Sequence, residues 1–211
     1  MRINEEALVE LRESIASKMS GKRLAHTLAV EKMAVRIGNI YCPDKRDALA
    51  VAALLHDITK EKTTEEHIAI CERYGAEYTN ENVVAPKTFH AITAAALIPY
   101  DYTEFNDPEI VRAVRYHTTG RAGMTLFEKI IYIADYIDET RTFPDCIALR
   151  EMLWGADIES MSEVERLLHL DRVILRSFDM TIKDLTEQGS VVNRDTLEAR
   201  EYVSKKVNGE N

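Results

Sequence analysis

At 211 residues, 45% hydrophobic and 30% charged, the chain has the make-up of an ordinary globular protein and is long enough for one domain with a substantial core. A net charge of −9 disfavours a broad nucleic-acid or anionic-membrane surface, and no apolar run approaches the ~20 residues that span a bilayer. Eight glycines and five prolines are too few for an all-β chain full of turns. Cys42, Cys71 and Cys146 form no C-x-x-C pair and read as reduced structural thiols. With a charged, amphipathic opening (MRINEEALVELRES) in place of a signal-peptide pattern, a cytoplasmic location is expected.

Helical signals follow one another along the chain. Asn4 can cap a first helix over about 5–19, with Gly21 just past its end. A second covers about 22–41, stopped by Cys42-Pro43. Asp47 can cap a third to about Ile58, whose segment VAALL is apolar on all sides and so belongs in the interior. Thr63-x-x-Glu66 is a capping box opening a helix to about Tyr74, with Gly75 as its stop. AEYTNENVVAPKT reads as a loop. The next helix spans about 89–98, bounded by Pro99, and Asp107-Pro108 starts another that ends near His117. TTGRAGM is a glycine-containing loop before a second capping box, Thr125-x-x-Glu128, which opens a helix to about Glu139. Helices over about 144–153, 162–188 and from about Thr196 complete the chain. The fold expected is an all-α bundle forming one domain over 1–211, and an apolar stripe on the long C-terminal helix would permit a homodimer.

Within this frame four histidines and two aspartates stand out. His26 shares the stripe His26, Val30, Met33, Ile37, spaced as a buried helix face, so its ring points inward; alone it would pass for a hydrogen-bonded core histidine. His56-Asp57 closes the apolar helix AVAALL. Neighbours on a helix diverge by about 100°, so both can face one point only at a helix end, and this pair sits at one. Asp135 lies in LFEKIIYIADYI, apolar nearly all round, where a carboxylate needs a metal, a cation such as an arginine, or several donors. His90 begins a helix and His117 ends one. His67 and His169 lie on charged helical stretches and receive no role. Imidazole and carboxylate converging without thiolate suit iron, manganese, zinc or cobalt, and a bundle can aim such ligands inward from several helices. Arg23 stands one turn before His26 on the same face and Lys60 three residues after Asp57. Arg115, Arg121 and Arg141 flank the His117 and Asp135 segments.

The order H…HD…H…H…D is similar to that of the HD-domain phosphohydrolase superfamily. The segments KRLAHTLAV, ALLHDITK, FHA, VRYHTTGRAGMTLFEKIIYIADYIDETR and VVNRDTLEAR resemble the YqeK family, the symmetrical diadenosine-tetraphosphate hydrolases of that superfamily, across about 5–202. The resemblance implies an HD-type helical bundle and a divalent transition metal, iron first, on His26, His56, Asp57 and Asp135. It implies that His90 and His117 face the substrate phosphates or serve a second metal, and that Arg23, Lys60 and Arg141 neutralise phosphate oxygens beside the backbone of Asp57, Ile58 and Thr59. Asp135 would also border the substrate. The segment carrying Asn193 and Thr196 would close over the nucleoside, with the helices from about residue 144 completing that site.

The implied reaction is hydrolysis of a dinucleoside polyphosphate to nucleoside diphosphates, two ADP from diadenosine tetraphosphate, by metal-activated water. Asp57 would orient the water, with Lys60 and His117 at the leaving group. No nucleic-acid or membrane partner is expected. Three other readings fit parts of the pattern: another HD nucleotide phosphohydrolase, a non-catalytic nucleotide-binding module, and a structural bundle with buried His–Asp pairs. Product analysis, tests of turnover and elemental analysis separate them.

Overall fold

The computed structural model describes residues 3–84 and 86–210; among them it holds eleven α-helices and no strand. Asn4 caps α1 (Glu5–Ala16) by accepting from the Ala7 N–H. α2 (Gly21–Tyr41) is capped by Ser20, so Gly21 opens this helix instead of closing the one before. A 3₁₀ turn over Pro43–Lys45 leads directly into α3 (Arg46–Leu55), which places Asp47 in the first turn and not at the cap.

α4 (Thr64–Tyr74) has the expected capping box and ends on Gly75 at φ +68°. The expected loop after it holds the short α5 (Asn80–Val84) and a 3₁₀ turn over Pro86–Thr88. α6 (Phe89–Asp101) runs through Pro99, which costs one N–H near the end of a helix whose Ala91, Ala94, Ala95 and Ile98 are buried. Asp107 caps α7 (Pro108–Tyr116), and the Thr125 capping box opens α8 (Leu126–Ile137). α9 (Pro144–Trp154), α10 (Glu163–Glu187, with a third capping box at Ser162) and α11 (Arg194–Asn208) finish the described chain.

α3 lies at the centre. Every residue from Leu49 to Leu55 is buried, and α1, α2, α7 and α8 pack around it. α6 spans between α4 and α7, while α10 packs on α8, α9 and α11. One apolar face of α10 is spent inside, where Leu170, Val173, Ile174 and Phe178 are buried. Val164 of the same helix is exposed, and Leu167, Leu168, Ile182 and Leu185 are half-buried. No described helix is long and apolar enough to cross a membrane.

Gly120, at φ +64°, turns the chain after α7. A Cβ there would stand 2.6 Å from the Phe178 ring and 3.3 Å from Ala199. Only glycine fits this close approach, and it presses the loop behind His117 against α10 and α11.

Candidate active site

Five elements deliver the polar residues to one buried point. His26 comes from the inner face of α2, His56 and Asp57 from the end of α3, His90 from the first turn of α6, His117 from the end of α7, and Asp135 from α8. His56, Asp57, His90 and His117 are almost wholly excluded from solvent, and His26 is 9% exposed.

Two of the rings are aimed by the same local device. At the ends of α3 and α7, His56 Nδ1 lies 2.5 Å from the Ala53 carbonyl and His117 Nδ1 lies 2.7 Å from that of Val114. A carbonyl only accepts, so Nδ1 carries the proton in each ring and donates to the carbonyl three residues back. Nε2 of each ring is thereby turned toward Asp57.

Asp57 is the hub. Its Oδ2 lies 3.4 Å from His56 Nε2, 3.7 Å from His26 Nε2 and 2.5 Å from Arg23 Nη1. Its Oδ1 faces the other way, 3.0 Å from His90 Nε2 and 3.6 Å from His117 Nε2, and those two nitrogens are 3.1 Å apart. Asp135 Oδ1 stands 3.0 Å from His26 Nε2 and 3.8 Å from His56 Nε2. Asp135 also accepts from Arg141, at 2.6 Å through Oδ1 and 2.6 Å through its backbone carbonyl, so the arginine partner that its sequence context allowed is present together with the histidines. Lys60 Nζ lies 3.2 Å from His90 Nε2.

Burial alone would push every one of these charges toward neutrality, and the neighbours decide which groups resist. Burial disfavours the Asp57 carboxylate, but His56, His117 and His90 hold it well below the usual range. Arg141, His26 and His56 do the same for half-buried Asp135. Burial lowers His26, yet Asp135 and Asp138 outweigh it and lift the ring to about 9. For His90 burial wins over Asp57 and takes the ring to about 3, and His117 and Lys60 are lowered for the same reason. The site therefore keeps its carboxylates ionised and His90 and His117 neutral, states in which such groups bind metal, while His26 holds its proton against Asp135 and Asp138.

The donor set fits a divalent transition metal. His26 Nε2, His56 Nε2 and Asp57 Oδ1 are buried without a hydrogen-bond partner, which native interiors rarely tolerate. His26, His56 and Asp57 can converge on one ion; so can His56, His117 and Asp135, and so can Asp57, His90 and His117. Nitrogen and carboxylate oxygen without sulfur point to iron, manganese, cobalt or zinc chemistry.

One participant went unnoticed in the sequence. Asp138, at the end of α8, is wholly buried; its Oδ2 stands 3.2 Å from His26 Nδ1 and 3.4 Å from Arg141 Nε, and its Oδ1 accepts from Thr140. Its spacing of three from Asp135 was the available signal. The side chains of Ile58, Thr59, Asn193 and Thr196 are engaged within the protein. Ile58 is buried. The Thr59 hydroxyl donates to the His90 carbonyl at 2.9 Å and meets Thr93, which in turn meets buried His67. Asn193 caps α11 by accepting from the Asp195 N–H, and Thr196 is buried. None of the four lines the clefts at the cluster.

Those clefts are two. One, of about 610 Å³, is bordered by Lys60, His117, Asp135 and Arg141 together with Tyr132, Tyr136 and residues of α9 and α10. The other, of about 590 Å³, is bordered by Lys22, Arg23, His26 and Arg141. They share Arg141 and Phe143, whose ring is 68% exposed.

Residues 23–140 match the model of the HD domain family. The chain is 35% identical to a symmetrical bis(5'-nucleosyl)-tetraphosphatase of Bacillus subtilis (strain 168), with 92% of this chain and 93% of that protein covered. It is 30% identical to a protein of the same description from Staphylococcus aureus, over 88% of each. A crystal structure of a predicted HD superfamily hydrolase involved in NAD metabolism, from Clostridium acetobutylicum, superposes with a TM-score of 0.80 at 32% identity, covering 93% of this chain and 96% of that one.

Proposed function

Because the chain belongs to the HD domain family, and its HD histidines and aspartates lie between two clefts that meet at Arg141 and Phe143, we propose that it hydrolyses dinucleoside tetraphosphates symmetrically, releasing two nucleoside diphosphates. The paired clefts carry this reading. A substrate with a nucleoside at each end and phosphates between them needs a place on either side of the hydrolytic centre. The relatives described as symmetrical bis(5'-nucleosyl)-tetraphosphatases support the substrate class.

His26, His56, Asp57 and Asp135 would hold the metal, taken as iron, with manganese, cobalt and zinc also suited to these donors. When bound, the ion supplies a Lewis acid that acidifies water and offsets phosphoryl charge. The chain's own groups do the rest. Arg23, Lys60 and Arg141 gather the phosphates that an acidic protein would otherwise repel. Asp57, fixed by four imidazoles and a guanidinium, orients the attacking water. His117, with its Nδ1 pinned to Val114, turns Nε2 toward the phosphates, beside Lys60, where charge develops on the leaving diphosphate. The segment from Pro144 onward belongs to the same unit, because Pro144, Asp145, Thr181 and Asp184 complete one cleft. A nucleotide substrate and three free cysteines suit a cytoplasmic enzyme.

Product analysis on diadenosine tetraphosphate with iron, manganese, cobalt and magnesium compared is the test. ADP alone is expected, and ATP plus AMP would overturn the reading. In the same assay His117→Ala should lower turnover on the order of 10²-fold while leaving metal content unchanged; loss of the metal would instead make His117 a ligand.

A further inference from the structure

A third cavity, larger than either cleft at about 810 Å³, lies between α4, α6 and α7 and shares no lining residue with them. α6 lines it with Ile92, Ala95, Ala96 and Pro99, a largely apolar surface. One wall is a pair of tyrosines, Tyr74 and Tyr100, with ring centroids 4.8 Å apart and the Tyr74 hydroxyl anchored to Asp101. Tyr100 is 59% exposed, an aromatic surface with no protein to cover it.

The other wall is cationic. Arg112, Arg115 and Arg121 line it against a single carboxylate in the lining, Glu77. Arg121 is committed to Glu128, but among the described residues neither Arg112 nor Arg115 has a carboxylate within ion-pair distance. Arg115 rests over the Tyr116 ring at 4.8 Å. In a chain of net charge −9, this lining carries a positive balance, with Arg112, Arg115 and Arg121 against Glu77. Guanidinium forks recognise phosphate bidentately, and flat tyrosine faces stack on bases without regard to their identity.

We propose that this cavity is a second nucleotide-binding site, separate from the hydrolytic centre, which takes a mononucleotide with its base on the Tyr100 side and its phosphates on Arg112 and Arg115. A ligand there grips α6 and α7, the two helices whose ends carry His90 and His117. The site stands on its own lining and does not depend on which phosphate bond the HD centre cleaves.

Equilibrium dialysis of the full chain against ADP tests it. Wild-type protein is expected to bind one more ADP per chain than an Arg112→Glu/Arg115→Glu variant, whose basal turnover and melting temperature should be unchanged. Tyr100→Ala should weaken the additional site by about tenfold while leaving the rest of the isotherm alone. Equal stoichiometry in wild type and double variant overturns the proposal whether or not the HD centre itself retains ADP. A wild type without symmetrical hydrolysis but with the extra ADP would overturn the reading of the HD centre and keep this one.

Discussion

Asp57→Ala is expected to lower turnover on the order of 10³-fold or more and to strip the protein of its metal in a single step. The reason is the double reach of this carboxylate. Oδ2 faces His26, His56 and Arg23, while Oδ1 faces His90 and His117. On the proposed reading alanine removes one metal ligand, and with it the charge beside four buried imidazoles and a guanidinium. Asp57→Asn separates the two losses: it keeps the shape and the hydrogen-bonding oxygen but not the charge, and should retain more structure than metal. The measurements are metal content by elemental analysis and initial rates on diadenosine tetraphosphate. A variant that keeps its metal and works within a few-fold of wild type would remove Asp57 from the centre.

The largest expected loss of stability lies away from that centre. Lys129, 6% exposed on α8, donates to Asp171 on α10, and Lys206 of α11 lies 2.8 Å from the other oxygen of the same carboxylate. Burial already pulls the Lys129 ammonium down, with Asp171 opposing. Asp171→Ala leaves Lys129 buried and uncompensated, an imbalance that costs about 3–5 kcal/mol and, at this chain length, roughly 10 °C in melting temperature. Lys206 is half exposed and can turn to water, so it adds little to the loss. Lys129→Met/Asp171→Leu, which removes both charges and keeps the volume, should recover most of it. Thermal unfolding of the three proteins decides the matter; a single variant as stable as wild type would mean that water reaches Lys129 freely.

What sequence periodicity could disclose was burial, and burial found most of the centre. The stripe through His26 points inward as expected, and the all-round apolarity before His56 and around Asp135 marks helices enclosed by others. Convergence from five elements is a property of tertiary packing, so individual residues implied nothing of the distances among them; only the order of the whole set did. His90 and His117 illustrate the limit. Their positions at helix ends suggested groups beside loops, yet both are buried against Asp57, because the helix ends themselves are inside the bundle. Asp138 was hidden by its neighbours Glu139 and Thr140, which make the end of α8 look solvated.

Local errors have local causes. Pro99 stops a helix on propensity alone, but the buried face of α6 outweighs one missing hydrogen bond. Asp47 is a good cap residue by type, but the 3₁₀ turn at Pro43 starts the helix one residue before it.

The enclosure of α3 has a consequence for how the molecule opens. A helix with no solvent face can exchange its amide hydrogens only when the surrounding helices separate, so those of Leu49 to Leu55 should be among the slowest in the protein. His56 and Asp57 continue directly from that segment. The hub of the hydrolytic centre is thus fastened to the part of the chain that opens last, and local unfolding elsewhere, at α11 or the short helix after α4, can come and go without loosening it.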